Sequence, residues 1–474
     1  MLIQQFFVGG LAHCSYFLEG RESCAVIDPR RDVRVYLETI KSRGLRLTHI
    51  LETHLHADFV SGHLELAART GAEIYAPRAA SCAFPHRAVA EGDAFAIDDM
   101  EVRVLETPGH TPEHVVYVVA DGSRSREAAA VFTGDVLFVG DVGRPDLFPG
   151  RAQALAGELY DSLHLKILKL PDFCEVYPAH GAGSLCGREI SAKRTTTVGY
   201  ERRHNYALTI ADREEFIARL TTGMPAAPDH FTRCSEINRR GPALVAGMPP
   251  VVPLAPEEFR TRSQGEGTIV LDVRSYEAFG GCHVPGAYHI DITSNISTFA
   301  GWILPPEVEV LLVTEGEAQV EQAATLLRRV GVDRIGAWLA GGMFAWANAG
   351  YPAGHVPQLA APELAARLCA PGAPAVVDVR AAGEFAGGHI PGAIHIPAPD
   401  LRTRYDELDP DTPYVTVCNV GQRASMAASL LKRRGFREVM NLAGGMTGYN
   451  AATGGGACPV CALPHGPSGQ GARG

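Results

Sequence analysis

Thr53-His54-Leu55-His56-Ala57-Asp58-Phe59 is the stretch on which the reading of this chain turns. The residues before it, Thr48-His49-Ile50-Leu51-Glu52-Thr53, read as an apolar strand, and a helical segment follows it. The run is therefore a loop at a strand end, where side chains can converge on one point. Further along come Pro108-Gly109-His110-Thr111, Thr133-Gly134-Asp135 and Pro178-Ala179-His180-Gly181. Each is a Gly/Pro-bounded loop at an expected strand end, and each delivers one His or Asp. Imidazoles and carboxylates on separate loops are what a metal with open coordination positions needs. Any one of them alone is an ordinary surface histidine or turn aspartate; the four in this order point to a metal site.

The H-x-H-x-D run, the later G-H-T, the T-G-D and the final A-H-G resemble the metallo-β-lactamase fold. The stretch Phe132 to Asp146, with Gly143-Arg144-Pro145-Asp146, is similar to the persulfide dioxygenase branch of that family. The resemblance covers residues 1 to about 245 and implies an αββα domain. Two-metal members such as glyoxalase II carry H-x-H-x-D-H, whose last histidine helps to hold the second metal. Here that position is Phe59, which ligates nothing. The resemblance then implies one Fe(2+) per chain, held by His54, His110 and Asp135. Two histidines and one carboxylate are the ligand set of non-haem iron(II) oxygenases. His56, Asp58 and His180 are expected to orient ligands or substrate. Arg144, with Asp146, is expected to bind the carboxylate of a thiol carrier through its planar fork. A salt bridge between these two is the other reading. Arg194 and Arg203 could serve the same purpose, and His63 reads as a core or solvated histidine.

After a Pro/Gly/Ala-rich stretch, Gly241 to Pro256, which reads as a linker, the sequence repeats itself. Leu271-Asp272-Val273-Arg274 returns as Val377-Asp378-Val379-Arg380, and Gly281-Cys282-His283-Val284-Pro285-Gly286-Ala287 as Gly387-Gly388-His389-Ile390-Pro391-Gly392-Ala393. Leu339-Ala340-Gly341-Gly342-Met343 returns as Leu442-Ala443-Gly444-Gly445-Met446, so the offsets are 106 and then 103 residues. Each copy alternates strand-like and helical runs, which predicts an α/β domain with a parallel sheet. The expected domains are 1–245, 252–356 and 357–456, followed by a Gly/Pro-rich, mobile tail at 457–474.

The second copy holds Cys418-Asn419-Val420-Gly421-Gln422-Arg423-Ala424-Ser425, between the strand Tyr414 to Val417 and a helix. Backbone N–H groups of such a loop, together with the helix N-terminus, stabilise a thiolate or persulfide anion. Gly421 permits the sharp turn and Arg423 adds positive charge. This C-x-x-G-x-R loop resembles the rhodanese active site, and D-V-R and G-H-I-P-G-A extend the resemblance over the domain. Cys418 and Arg423 are therefore the expected catalytic pair, with Gly421 at the substrate. The first copy has Thr314-Glu315-Gly316-Glu317-Ala318-Gln319 at the same place: no cysteine, no arginine, two added acids. It is expected to be inactive, with a packing or docking role. Cys458-Pro459-Val460-Cys461 in the tail reads as half a zinc site, a redox pair, a sulfur carrier or a non-essential tail.

Composition bounds the rest. A net charge of −10 offers no basic excess for nucleic acid or an anionic membrane. No apolar run reaches the ~18–20 residues of a membrane helix, and Met1 to Gly20 lacks a signal peptide's charged start. Eleven scattered cysteines suit a reducing cytoplasm. The expected partners are a thiol persulfide, O2 and sulfite or thiosulfate, and a homo-oligomer is compatible with the sequence. The expectation is an iron-dependent persulfide dioxygenase coupled to a sulfurtransferase. The alternatives are a zinc-dependent thioester hydrolase of the glyoxalase II type fused to a sulfurtransferase, and a persulfide-sensing binding protein.

Overall fold

The computed structural model describes residues 1–224, 228 and 230–454. The Cys458/Cys461 pair lies outside the described residues. The chain divides into two compact units. One is Met1–Pro249 together with Thr325–Asp333; the other is Pro250–Ala324 together with the chain from Arg334 onward.

The first unit is built on two six-stranded mixed sheets. One runs in sequence order through Leu2–Val8, His13–Glu19, Ser23–Ile27, Arg46–Leu51, Glu73–Pro77 and Arg87–Val89. The other is ordered Thr196–Thr197, Glu175–Pro178, Ala130–Gly134, Val115–Asp121, Met100–Glu106, Ala94–Ile97. Strand side chains alternate between faces, and here both faces are apolar. In His13–Glu19, Cys14, Tyr16 and Leu18 join a core with Val115, Tyr117 and Val119 of the other sheet. Phe17 faces the opposite way, toward Tyr36 and Leu66 of the helices Arg34–Arg43 and His63–Thr70. Val116 and Val118 likewise meet Leu159, Leu163 and Phe216 of the helices Ala152–Leu165 and Arg213–Thr221. Both sheets are thus covered twice, which makes the order helix, sheet, sheet, helix: the αββα architecture expected.

The inter-sheet core also sets the loops. Tyr16 donates its hydroxyl to the Pro178 carbonyl at 2.6 Å, and Tyr117 donates to that of Glu52 at 3.0 Å. Buried tyrosines keep a partner for the hydroxyl, and these two partners lie next to the loops that carry His180 and His54. The His54 loop is further held by Asp28, whose carboxylate accepts the Thr53 N–H and hydroxyl at 2.8 and 2.9 Å.

The second unit contains two five-stranded parallel sheets of identical order. They run Val252–Leu254, Ile335–Leu339, Glu309–Val313, Thr268–Asp272, Tyr288–His289, and Gln358–Leu359, Val439–Leu442, Tyr414–Val417, Ala375–Asp378, Ile394–His395. The Gly241–Pro256 stretch is not all linker, because Val252–Leu254 is an edge strand of the first of these sheets. Its proline is tolerated there because an edge leaves one row of N–H groups unpaired. Among the described residues, no helix is long and apolar enough to cross a membrane.

Candidate active sites

His54, His110 and Asp135 each bring one donor atom to within 4.8 Å of the others. His110 Nε2 lies 3.3 Å from Asp135 Oδ2, and His54 Nε2 lies 3.7 Å from the same oxygen. All three residues are buried. Their other polar atoms are committed. His110 Nδ1 donates to the Arg144 carbonyl at 2.9 Å. His54 Nδ1 donates to the Thr53 oxygen at 2.9 Å, since the Thr53 hydroxyl hydrogen goes to Asp28. Both imidazoles therefore turn an Nε2 lone pair to the centre. Burial pulls both histidines below their ordinary pKa, which keeps them neutral. The two Nε2 atoms and Asp135 Oδ2 have no hydrogen-bond partner among the described residues. An unpaired buried polar atom costs roughly 1–3 kcal/mol. Three aimed at one point make sense as ligands of a cation, and this donor set fits one.

Asp135 is oriented by His180, whose Nδ1 lies 2.7 Å from Asp135 Oδ1 and whose Nε2 lies 2.9 Å from Asp58 Oδ2. Burial opposes a charge on His180, but the two carboxylates outweigh it and hold its pKa well above the ordinary value. The imidazolium in turn keeps Asp135 ionised against its own burial. His56 points Nε2 at Asp28, 3.2 Å away, and at Glu52, 3.7 Å away. The Phe59 ring packs on His13 and His56, with centroids 4.0 and 4.4 Å apart. Asp58, His180 and Cys186 form a further buried trio, but both nitrogens of its histidine are already engaged.

Arg144 is buried and forms a two-pronged pair with Asp146 at 2.7 and 2.8 Å, and it reaches the Leu185 carbonyl as well. The Arg194 guanidinium lies 3.7 Å over the Phe7 ring, and Arg203 lies 3.5 Å from Asp172. His63 is buried beside Glu52.

In the second unit, Cys418 directly follows the strand Tyr414–Val417 and is buried. The Gly421 N–H donates to its Sγ at 3.1 Å. Gly421 has φ +99°, a backbone conformation that favours glycine, and a Cβ there would stand a tight 3.2 Å from the Tyr276 ring. The helix Gln422–Arg433 starts at the next residue, which places its N-terminus by the sulfur. Arg423 is gripped by both oxygens of Glu384 at 2.8 and 2.7 Å, and the Asn419 amide donates to Glu384 at 2.6 Å. The Arg423 guanidinium holds the Glu384 carboxyl down at about 2. In the first copy the matching loop closes on itself. The Thr314 hydroxyl donates to the Gly316 carbonyl at 3.1 Å, and the Glu315 N–H donates to the Gln319 side chain at 2.8 Å.

Residues 8–180 match the metallo-beta-lactamase superfamily, and residues 255–349 and 360–452 match the rhodanese-like domain. The mitochondrial persulfide dioxygenase ETHE1 of Mus musculus is 34% identical over 225 residues, 46% of this chain and 79% of that protein. The chain belongs to the metallo-beta-lactamase superfamily. The two rhodanese-like domains are fused behind that domain.

A hydroxyacylglutathione hydrolase of Rhodospirillum rubrum is 39% identical to this fusion over 195 residues, 41% of this chain and 64% of the relative. Among solved structures, a metallo-beta-lactamase from Staphylococcus aureus subsp. aureus COL is 32% identical with a TM-score of 0.64. That match covers 72% of the fusion and 99% of the other chain.

Two positions in the fusion escaped the sequence reading. His114 accepts the Asp135 N–H at 3.0 Å and stacks on His54 at 4.9 Å. Burial, helped by His110, pushes its pKa down to about 3, so it stays a neutral acceptor. Its only signal is its place four residues after His110. Glu384 had a clearer one, because Ala278 stands at its place in the copy that lacks Cys418 and Arg423.

Proposed function

We propose that the metallo-beta-lactamase domain oxidises the terminal sulfur of a low-molecular-weight thiol persulfide with O2, and that Cys418 moves sulfane sulfur. The overall oxidation is R–S–SH + O2 + H2O giving R–SH, sulfite and two protons. One observation carries the reading. Three unpartnered donor atoms, from His54, His110 and Asp135, share one point, while Phe59 stands where a second metal's imidazole is needed. A two-histidine, one-carboxylate set leaves positions open for a sulfur ligand and for O2. Fe(2+) held by these three residues would pass electrons to O2 from the terminal persulfide sulfur, which is the group oxidised. The chain's own part is positioning: Thr53 and the Arg144 carbonyl fix the two imidazole tautomers, and His180, braced by Asp58, fixes the carboxylate.

At Cys418 the loop N–H groups and the helix N-terminus suit an anionic sulfur. Sulfite made at the first site is an acceptor for sulfane sulfur at the second, and carrying both on one chain raises the local concentration of each product. Every cysteine among the described residues is a free thiol, which suits a cytoplasmic setting. Arg144 and Asp146 remain our candidates for the edge of the persulfide pocket, with Arg144 acting as part of the ion pair.

The relatives include both hydroxyacylglutathione hydrolases and persulfide dioxygenases at similar identity, which keeps one second reading: a zinc-dependent thioester hydrolase. Oxygen uptake decides between them. Iron(II)-loaded protein given glutathione persulfide should consume O2 and release sulfite and thiosulfate. Absence of uptake with several persulfides, despite bound iron, would overturn the dioxygenase and point to zinc and thioesters.

A further inference from the structure

The Cys418 sulfur is not served by its own domain alone. It opens on a cavity of about 180 Å³ that Asn419, Val420, Gln422 and Arg423 line from one side and Thr293, Ser294, Asn295 and Phe299 from the other. The second group belongs entirely to the repeat that has lost its cysteine. That wall is fixed in place. Asp291 accepts the Thr293 N–H at 2.9 Å and its hydroxyl at 2.7 Å, and the Gln422 amide donates across the cavity to the same hydroxyl oxygen at 2.8 Å. Asn295 is exposed, its carboxamide oxygen accepts no capping bond from the helix Ile296–Ile303 that follows, and its side chain carries two N–H donors. Phe299 is buried and adds an apolar face. The cavity is smaller than the ~300 Å³ at which sites for drug-sized ligands begin. The Arg423 guanidinium, already paired with Glu384, has its charge partly neutralised.

We propose that the inactive first repeat forms the acceptor-binding wall of the Cys418 site, with Asn295 binding and Phe299 size-selecting a small sulfur oxoanion of the sulfite and thiosulfate class. The inference rests on the reading of Cys418 as a sulfurtransferase. In the step served, the sulfite sulfur uses its lone pair to attack the outer sulfur of the Cys418 persulfide. A sulfur–sulfur bond forms to give thiosulfate, the bond from Cys418 Sγ to the outer sulfur breaks, and its electron pair stays on Cys418 as thiolate. No other reactant is required. Asn295 donates to an oxygen of the incoming anion, and Phe299 limits how much of a bulkier thiol can follow its sulfur into the cavity.

The test is sulfur transfer by the full-length chain from thiosulfate to cyanide, with KM for thiosulfate and kcat separated, for wild type, Asn295→Ala and Asn295→Asp. Losing one hydrogen bond to an anion should raise KM about tenfold in Asn295→Ala, and the added carboxylate should raise it further, with kcat held within about twofold. Phe299→Ala should improve transfer to glutathione relative to sulfite. Asn295 is exposed, so its variants keep the fold even where Phe299→Ala does not. An unchanged KM in both Asn295 variants overturns the proposal while wild type still transfers sulfur. A wild type that transfers none overturns the underlying reading of Cys418 instead.

Discussion

The two rhodanese repeats share a scaffold and differ in a loop. In the first, Arg274 pairs with Asp272 at 2.6 Å and donates to the Cys282 carbonyl; in the second, Arg380 pairs with Asp378 at 2.7 Å and donates to the Gly388 carbonyl. His289 and His395 each reach the carbonyl of that arginine, at 3.0 and 2.8 Å. Phe279 stacks on His283 and Phe385 on His389, at 3.9 and 3.8 Å. Everything that closes the sheet end has survived in both. What differs lies in the loop and its clamp, and includes the cysteine, the arginine and Glu384, the last two of which pair in the second copy. Their counterparts are Thr314, Gln319 and Ala278. The D-V-R and G-H-I-P-G-A signatures therefore report the fold, and only the loop with its clamp reports the chemistry.

The sharpest way to break this comparison is to exchange the key atoms. Cys418→Ser should abolish sulfur transfer, and Thr314→Cys should create none. The first loop closes on its own side chains, and Glu315 and Glu317 repel a thiolate. Transfer from a Thr314→Cys, Cys418→Ser double variant would show that the loop matters less than we hold. The same assay separates the two chemistries. Cys418→Ser should leave oxygen uptake with a small persulfide intact. His110→Ala should lose bound iron and sulfite formation while keeping thiosulfate-to-thiol transfer. Loss of oxygen uptake in Cys418→Ser would mean that the sites are not independent.

A smaller effect is expected from the clamp. Glu384→Gln keeps the side-chain shape but removes the charge that pairs with Arg423, and a charge-assisted two-pronged contact becomes a weaker one. Transfer should fall about tenfold with the fold intact by circular dichroism. Ala278→Glu in the first repeat should change nothing. An unchanged rate in Glu384→Gln would reduce Glu384 to a surface ion pair.

Much of this was legible in the sequence because the expected metal ligands and the Cys418 loop sit in short Gly/Pro-bounded segments at strand ends. The motif and its structural place coincide there. What escaped was set by contacts between distant segments. Glu384 and Asn419 meet only once two strands pair side by side. His114 takes its role from the Asp135 N–H, an interaction no spacing rule describes. The 252–254 strand was hidden in a proline-rich stretch because its partner, Ile335–Leu339, lies far downstream. The Thr293–Phe299 wall belongs to a repeat whose own loop had already marked it as inactive.

The finest separation of the repeats is their response to acid. Arg423 holds the Glu384 carboxyl at about 2, against an ordinary 4.5. A carboxyl whose folded pKa is depressed binds fewer protons folded than unfolded. Its stabilisation is complete above about pH 4.5 and is lost as pH falls toward about 2. Glu384 is about one-third exposed at 31%, so water and salt screen the pair and its worth is under about 1 kcal/mol. Ala278 gives the first repeat no such contribution. Urea unfolding of wild type and Glu384→Gln should therefore differ slightly at pH 6 and converge between pH 4.5 and 2. A difference that stays constant across that window would mean that Glu384 stabilises through packing, not charge, and that the loss of the clamp in the first repeat was a matter of shape.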